Sequence, residues 1–187
     1  MNKKALTEAD IRTKFITPAL VGAKWNLMTQ VREEVYFTKG RVIVRGKLVT
    51  RGVARRADYI LVYKPNIPLA LIEAKDNNQA LGDGMQQALD GAEMLDIPFV
   101  YSTNGDAFLE HDRTVITGSV TREISLDQFP SPDELWARYC KAKGLAETQA
   151  TITTQDYFDD GSGKTPRYYQ LIAINRTIEA IASGKRR

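Results

Sequence analysis

Two carboxylates and one ammonium are the residues of this sequence best placed to do chemistry: Asp58, then Glu73 and Lys75 in the run Ile72-Glu73-Ala74-Lys75. Asp58 opens one apolar run, Tyr59-Ile60-Leu61-Val62-Tyr63, and Glu73 closes the next, Leu69-Ala70-Leu71-Ile72. Read as two strands of an antiparallel hairpin, the start of the first and the end of the second meet. Glu73 and Lys75 stand two apart, so both side chains leave the same face of their strand. Such a set suits a hard cation. Mg²⁺ takes oxygen ligands, often one or two carboxylates, and keeps several waters. A metal so held makes a neighbouring water a better nucleophile and stabilises charge on an attacked phosphate. Lys75 can orient that water, help deprotonate it, or offset charge in the transition state. The plain alternative is a surface salt bridge between Glu73 and Lys75. The apolar lead-in Ala70-Leu71-Ile72 argues against it, because unpaired charge on a buried strand is costly. From these residues alone both readings stay open.

The positioning elements follow from the pattern. Thr7 caps a helix whose first turn carries Glu8 and Asp10, and Ile11, Phe15 and Ile16 form its apolar stripe until Pro18 stops or bends it. Residues 30–53 are strand-like, with Gly40 and Gly46 as punctuation. Lys64-Pro65-Asn66-Ile67-Pro68 joins the two strong strands as a hairpin turn. A helix is expected from about Leu81 to Leu95, with Met85, Ala88, Leu89, Ala92 and Leu95 on one face. A strand follows at Pro98–Thr103, closed by Asn104-Gly105. Shorter strands are expected at Ala107–Glu110 and Arg122–Leu126. Ser131 caps a helix to about Ala142, which Gly144 ends. Residues 145–164 are polar and rich in Gly and Thr and read as a linker. A last helix runs from about Tyr168 to Ser183. The order implies an α/β fold, a mixed central β-sheet flanked by helices.

Between Glu34 and Asp58 the sequence holds no acidic residue and seven basic ones: Lys39, Arg41, Arg45, Lys47, Arg51, Arg55 and Arg56. This run leads directly to Asp58 and reads as a path for DNA phosphates, with a solvated hairpin as the plain alternative. The whole-chain charge, +3, is too small to prove such a partner. With 187 residues and 43% hydrophobic content, one domain with a sizeable core and a short appendage is expected. The single cysteine, Cys140, excludes an intrachain disulfide and fits a reducing cytoplasm. Its amphipathic surroundings mark it as a packing residue. With His111 the only histidine, neither a Cys–His nucleophile nor a zinc centre is supported. No apolar stretch is long enough for a signal peptide core or a membrane span.

Four blocks resemble the N-terminal PD-(D/E)xK nuclease region of the restriction (motor and nuclease) subunit of type I restriction-modification enzymes. They are Glu8-Ala9-Asp10-Ile11-Arg12 through Leu20 and Trp25; Arg56-Ala57-Asp58-Tyr59; Leu71-Ile72-Glu73-Ala74-Lys75; and Gly84-Met85-Gln86-Gln87-Ala88 continuing to Asn104-Gly105. The resemblance implies a restriction-endonuclease-like core that hydrolyses DNA phosphodiester bonds with Mg²⁺, for which Mn²⁺ can substitute. Asp58, Glu73 and the Ala74 carbonyl would bind the metal, and Lys75 would serve the water. Glu8 would approach the same region and Gln87 would support the site. Ala57 stands where the name-giving Pro would be, and Gly91 where a Tyr four residues after Gln87 is expected, which weakens any specific role for Gln87. Pro166-Arg167-Tyr168-Tyr169-Gln170 resembles the segment preceding the first ATPase motif of superfamily 2 helicases, where Arg167 and Gln170 would meet the nucleotide. No Gly-x-x-x-x-Gly-Lys-[Ser/Thr] loop occurs, so ATP belongs only to a full-length subunit, of which this chain is expected to be a fragment. The resemblance divides the chain into a nuclease-like domain (1–144), a linker (145–166), and a helix leading toward a helicase (167–187). It implies double-stranded DNA, a methyltransferase subunit and a specificity subunit as partners, no membrane, and a cytoplasmic location. Two rivals are a non-catalytic DNA-binding or assembly module with a degenerate site, and another nuclease of the same superfamily, such as a junction resolvase or repair nuclease.

Overall fold

The computed structural model describes residues 2–38, 43–45, 48–50, 54–157, 161, 163–164 and 166–185, with the backbone alone given for 43–45 and 48–50. The chain opens with a short 3-10 turn, Lys3–Ala5, and then a helical segment in three parts: α1 (Glu8–Ile11), a π turn (Arg12–Ile16) and α2 (Thr17–Gly22). Thr7 caps it reciprocally with Asp10. Pro18 bends this segment without stopping it. Within a regular helix its ring would strike the carbonyl of residue 14, and it has no N–H to donate. The π turn widens the backbone just before it, where Thr17 N–H reaches back to the Arg12 carbonyl.

Strands β1 (Val31–Thr38), β4 (Ala54–Lys64), β5 (Ile67–Ala74), β6 (Phe99–Thr103), β7 (Ala107–Asp112) and β8 (Thr121–Ser125) form one sheet in that spatial order, while β2 (Ile43–Arg45) and β3 (Leu48–Thr50) form a separate hairpin. All neighbours in the large sheet are antiparallel except β5 and β6, which run parallel. A parallel pair needs a crossover, and α3 (Met85–Leu95) supplies it. The sheet is therefore mixed, as the order of elements predicts. The β4–β5 turn is tighter than the five-residue reading. Only Pro65 and Asn66 lie between the strands, and register shifts between Leu61 and Lys64 accommodate Pro68, which cannot donate to the ladder. Likewise α3 starts at Met85 and not near Leu81, because residues 81–84 form a turn.

Each face of the sheet is covered. On one, Ile11, Ile16, Leu20 and Trp25 join Tyr59, Leu61, Ile72, Phe99, Tyr101, Phe108 and Leu135 of α4 (Pro132–Lys143). On the other, Ala88, Ala92 and Leu95 of α3 meet Phe37, Ile60, Val62, Leu71 and Val100. Ser131 caps α4 by accepting from Glu134 N–H, and Gly144 ends it at φ 65°. The stretch expected to be a linker contains a helix, α5 (Glu147–Thr153), with Leu145 and Thr153 buried. Polar composition hid it, because α5 packs mainly along α6 (Tyr168–Ala182). In turn α6 lies on the core. Asn175 donates to the Asn66 carbonyl, Arg176 pairs with Asp96 at 3.0 Å, and Glu179 meets Tyr139 and Lys143. Among the described residues no helix is long and apolar enough to cross a membrane.

Candidate functional site

Asp58 and Glu73 are among the few buried acids, at 2% and 3% exposure. The β4–β5 register pairs Tyr59 with Ile72, and one step further sets Asp58 across from Glu73. Asp58 Oδ2 accepts the Ala74 N–H at 2.8 Å. This bond ties the first acid to the strand that carries the second, and uses an N–H at the end of the β4–β5 ladder. Lys75 continues β5 by donating its N–H to the Thr103 carbonyl. Its ammonium donates to Glu73 Oε1 at 2.8 Å and to Gln87 Oε1 at 3.3 Å. Asp58, Glu73 and Lys75 are thus brought together as their spacing predicts, and Gln87, which only the resemblance named, lies beside Lys75.

The elements explain the placement. Glu73 follows Leu71 on the α3 side of β5, and the first turn of α3 comes down beside it. A Cβ on Gly84 would lie 2.9 Å from Glu73 Cγ and 2.9 Å from Ser102 Oγ, so glycine permits the approach. Ser102 pairs with Glu73 across the parallel ladder, is fully buried, and its hydroxyl has no hydrogen-bond partner among the described residues. Two helical turns on, a Cβ at Gly91 would lie 3.1 Å from both Leu71 Cδ1 and Phe37 Cζ. The Phe37 ring from β1 therefore fills the space beside Gly91 that an aromatic side chain on α3 would need.

Around this pair lies a wider charged group, of which the sequence points to Glu8 and Arg56 but gives Arg12 and Glu34 no role in the site. Glu8, from the first turn of α1, is 3.9 Å from Arg56. Arg56 is also 3.4 Å from Asp58 Oδ1 and 3.6 Å from Glu34. Arg12 holds Glu34 at 2.8 Å and Glu33 at 3.5 Å. Glu34 adopts φ 51°, a left-handed conformation uncommon for a non-glycine residue, on the strand that flanks Asp58. Arg56 and Arg55, read as neighbours in one basic run, point to different partners. Arg56 goes to the acids, while Arg55 pairs with Asp90 of α3 at 2.8 Å. Of the rest of that run, Lys39, Arg41, Lys47 and Arg51 lie outside the described residues, and only the backbone of Arg45 is described, in β2.

Burial pushes the Glu73 carboxyl up to about 7; Asp58 and Glu8 add to the rise and Lys75 opposes it. Burial also raises Glu8, with Asp58 adding to it. For Lys75 burial works downward, but the hydrogen bond to Glu73 and the charges of Glu73, Glu8 and Asp58 outweigh it and hold the ammonium above its ordinary range. The two partners pull against each other: Glu73 rises despite its ammonium neighbour, and Lys75 rises despite burial. Glu73 sits deeper, with its side chain 4% exposed against 22% for Lys75, so burial dominates for the acid and pairing for the ammonium. Near neutral pH Glu73 is therefore about half protonated, with Lys75 charged.

For a divalent cation, Asp58, Glu73 and the Ala74 carbonyl offer hard oxygen donors, which suits Mg²⁺. Among the described residues no group of three or more His, Cys, Asp and Glu side chains forms a ready metal cluster. Two carboxylates with a carbonyl remain compatible with an ion that keeps its waters. Arg167 and Gln170 are exposed at the start of α6, where Gln170 Oε1 accepts the Arg167 N–H at 2.9 Å. Cys140 is half-buried on α4. Burial raises its thiol, with Glu179 adding to the rise, as fits a packing residue.

No family model matches the chain. Over its whole length it is 52% identical to the endonuclease subunit of the type I restriction enzyme EcoAI of Escherichia coli, of which it spans 23%. A solved fragment of a chain assigned as the HsdR subunit of a type I restriction enzyme from Vibrio vulnificus YJ016 superposes with a TM-score of 0.80 at 41% identity. That match covers 96% of this chain and 33% of the other. From end to end, then, the chain is a homologue of part of a type I restriction enzyme endonuclease subunit, the subunit its four sequence blocks resemble.

Proposed function

We propose that this chain is the metal-dependent DNA endonuclease module of a type I restriction system, a PD-(D/E)xK nuclease whose centre is Asp58, Glu73 and Lys75. The observation that supports it best is the buried Asp58–Glu73 pair, tied through the Ala74 N–H, with the Lys75 ammonium 2.8 Å from Glu73. A purely structural sheet gains nothing from two like charges facing each other under cover. A divalent cation on Asp58, Glu73 and the Ala74 carbonyl would polarise the scissile phosphate and supply a nucleophile near neutral pH. The chain's own residues do the remaining work. Lys75, held charged by Glu73 and steadied by Gln87, offsets negative charge as the phosphate is attacked. Glu8 adds negative potential from α1, and Arg55, Arg56 and the preceding basic run bring DNA phosphates to the site. In a full-length subunit, Arg167 and Gln170 would contact ATP, and methyltransferase and specificity subunits would complete the complex, in the cytoplasm.

Nicking of supercoiled plasmid by the purified chain tests this reading, with Mg²⁺ or Mn²⁺, against Asp58→Ala and Lys75→Ala. Cutting by the wild type that chelator and both substitutions abolish is the expected result. Equal cutting by all three proteins would reject the assignment of the centre.

A further inference from the structure

Resting on that reading, we infer that Arg56 is a stand-in cation: it neutralises the acidic centre while no metal is bound and is released toward a DNA phosphate when one binds. Three observations point to it. First, Arg56 makes no close ion pair. Its guanidinium lies 3.4 Å from Asp58, 3.6 Å from Glu34 and 3.9 Å from Glu8, spread over three acids. The other two cations of the cluster, Arg12 on Glu34 and Lys75 on Glu73, each sit at 2.8 Å, the distance of a charge-assisted hydrogen bond. Second, the Arg56 side chain is 40% exposed, against 11% for Arg12 and 22% for Lys75. Among these three cations it is the one at the rim, and turning outward would give up, besides the two longer ion pairs, only its 3.4 Å contact to Asp58 and a hydrogen bond to the exposed Tyr36. Third, its nearest acid is Asp58, a proposed metal ligand that is itself 2% exposed.

The electrostatics then run in one direction. Without a metal, a positive guanidinium among Asp58, Glu34 and Glu8 lowers the cost of keeping these acids together. A divalent ion on Asp58 turns that attraction into repulsion at short range. Arg56 needs a new anion, and the phosphate drawn to the metal is the one at hand. One guanidinium thus serves the empty centre as counter-ion and the loaded centre as a DNA contact.

Mn²⁺ binding to the chain without DNA, followed by the loss of the free-ion electron paramagnetic resonance signal, tests the inference without using activity. Wild type, Arg56→Gln and Arg56→Lys are compared, with Asp58→Asn to mark binding at the centre. Removing a unit charge next to a divalent ion is expected to tighten Mn²⁺ binding in Arg56→Gln on the order of tenfold at low salt, with the gap narrowing as salt rises. Arg56→Lys, which keeps the charge, is expected to bind like the wild type. Mn²⁺ binding that Asp58→Asn abolishes, yet that is equal or weaker in Arg56→Gln, overturns the stand-in role and leaves the nuclease reading intact. Absence of Asp58-dependent binding in wild type and Arg56→Gln alike overturns both.

Discussion

Replacing Gly84 with alanine sets two well-defined effects against each other. Gly84 sits at the start of α3 with φ −84° and ψ −10°, a conformation any L-residue adopts, so the backbone does not require glycine there. By itself the change would stabilise the protein by about 0.4–1 kcal/mol, because alanine has less freedom to lose on folding. The contacts oppose it. The new methyl would lie 2.9 Å from Glu73 Cγ, 2.9 Å from Ser102 Oγ and 3.3 Å from Glu73 Cβ. Both neighbours are buried on central strands, and such overpacking costs roughly 1–3 kcal/mol. Overpacking wins, and a net loss of about 1–2 kcal/mol is expected in urea unfolding. Gly22 is the internal control. A Cβ there meets nothing within 4 Å, so Gly22→Ala should be neutral or stabilise by up to about 1 kcal/mol. Since the methyl pushes on the stem of Glu73, the Mg²⁺-dependent nicking rate should fall by far more than stability alone explains. A displacement of about 1 Å costs on the order of a hundredfold. Removing the Ser102 hydroxyl in the same protein should recover part of the stability, a coupling that a double-mutant cycle reads directly. Gly84→Ala with wild-type stability and wild-type nicking would refute the claim that α3 reaches the site through a space only glycine leaves open.

The raised Glu73 carboxyl has a consequence for pH. Its folded-state value of about 7 lies above the ordinary 4.5, so the folded protein binds more protons than the unfolded one in between. Stability of the metal-free protein should therefore fall as pH rises through that window, by roughly 3 kcal/mol from this group. Glu73→Gln should flatten the fall; urea unfolding at pH 5 and pH 8 measures it, and an unchanged slope would count against a buried, proton-rich Glu73. Lys75→Ala should abolish nicking while leaving the circular dichroism spectrum near that of the wild type, with a loss of stability that is smaller at pH 5, where the unpaired Glu73 takes up a proton. Arg138→Ala should destabilise strongly, by about 3–5 kcal/mol, because it strips Glu110, 1% exposed, of a 2.8 Å ion pair and Asp112 of one at 2.7 Å. A small shift in melting temperature would show that Arg122 and Tyr101 suffice for Glu110.

The juxtaposition of Asp58, Glu73 and Lys75 was legible because its signals are local. Glu73 and Lys75 share a strand face by simple alternation, and the Pro65-Asn66 turn forces β4 and β5 to be neighbours, which carries Asp58 to Glu73. The mixed character of the sheet followed from the order of the elements, which apolar runs and their punctuation reveal. What the sequence concealed depends on direction and distance. A run of basic residues states the sign of the charge but not where each side chain goes. Arg55 and Arg56 are adjacent, yet one reaches Asp90 on α3 and the other the acids beside α1. The close approach at Gly84 involves α3, β5 and β6 together, and no local pattern encodes it. The α5 helix was missed for a related reason: a short helix that buries little besides Thr153 needs few apolar residues, and its Thr and Gln read as loop.

The left-handed Glu34 bears on why Asp58 stands where it does. Down β4, Tyr59 and Leu61 face the core beneath α1, while Ile60 and Val62 face α3. Strict alternation would place Ala57 with Tyr59, yet Ala57 lies in the α3-side core beside Phe37. The alternation slips between them, at Asp58, and across from that slip β1 carries its one strained residue, between the pairs Glu33–Tyr59 and Val35–Ala57. A non-glycine residue in this conformation costs on the order of 1–2 kcal/mol and persists only where its surroundings hold it. Here Arg12 grips the Glu34 carboxylate at 2.8 Å, and Arg12 is itself held over the Tyr59 ring. The slip has a use. In a regular strand pair Asp58 would continue the ladder with Glu34, whereas here its carboxylate turns toward β5 and takes the Ala74 N–H. The strain at Glu34, the grip of Arg12 and the bond to Ala74 act as one device that fixes a buried acid opposite another. Such over-determined placement supports the proposed cation centre, because binding would then spend little on ordering its ligands.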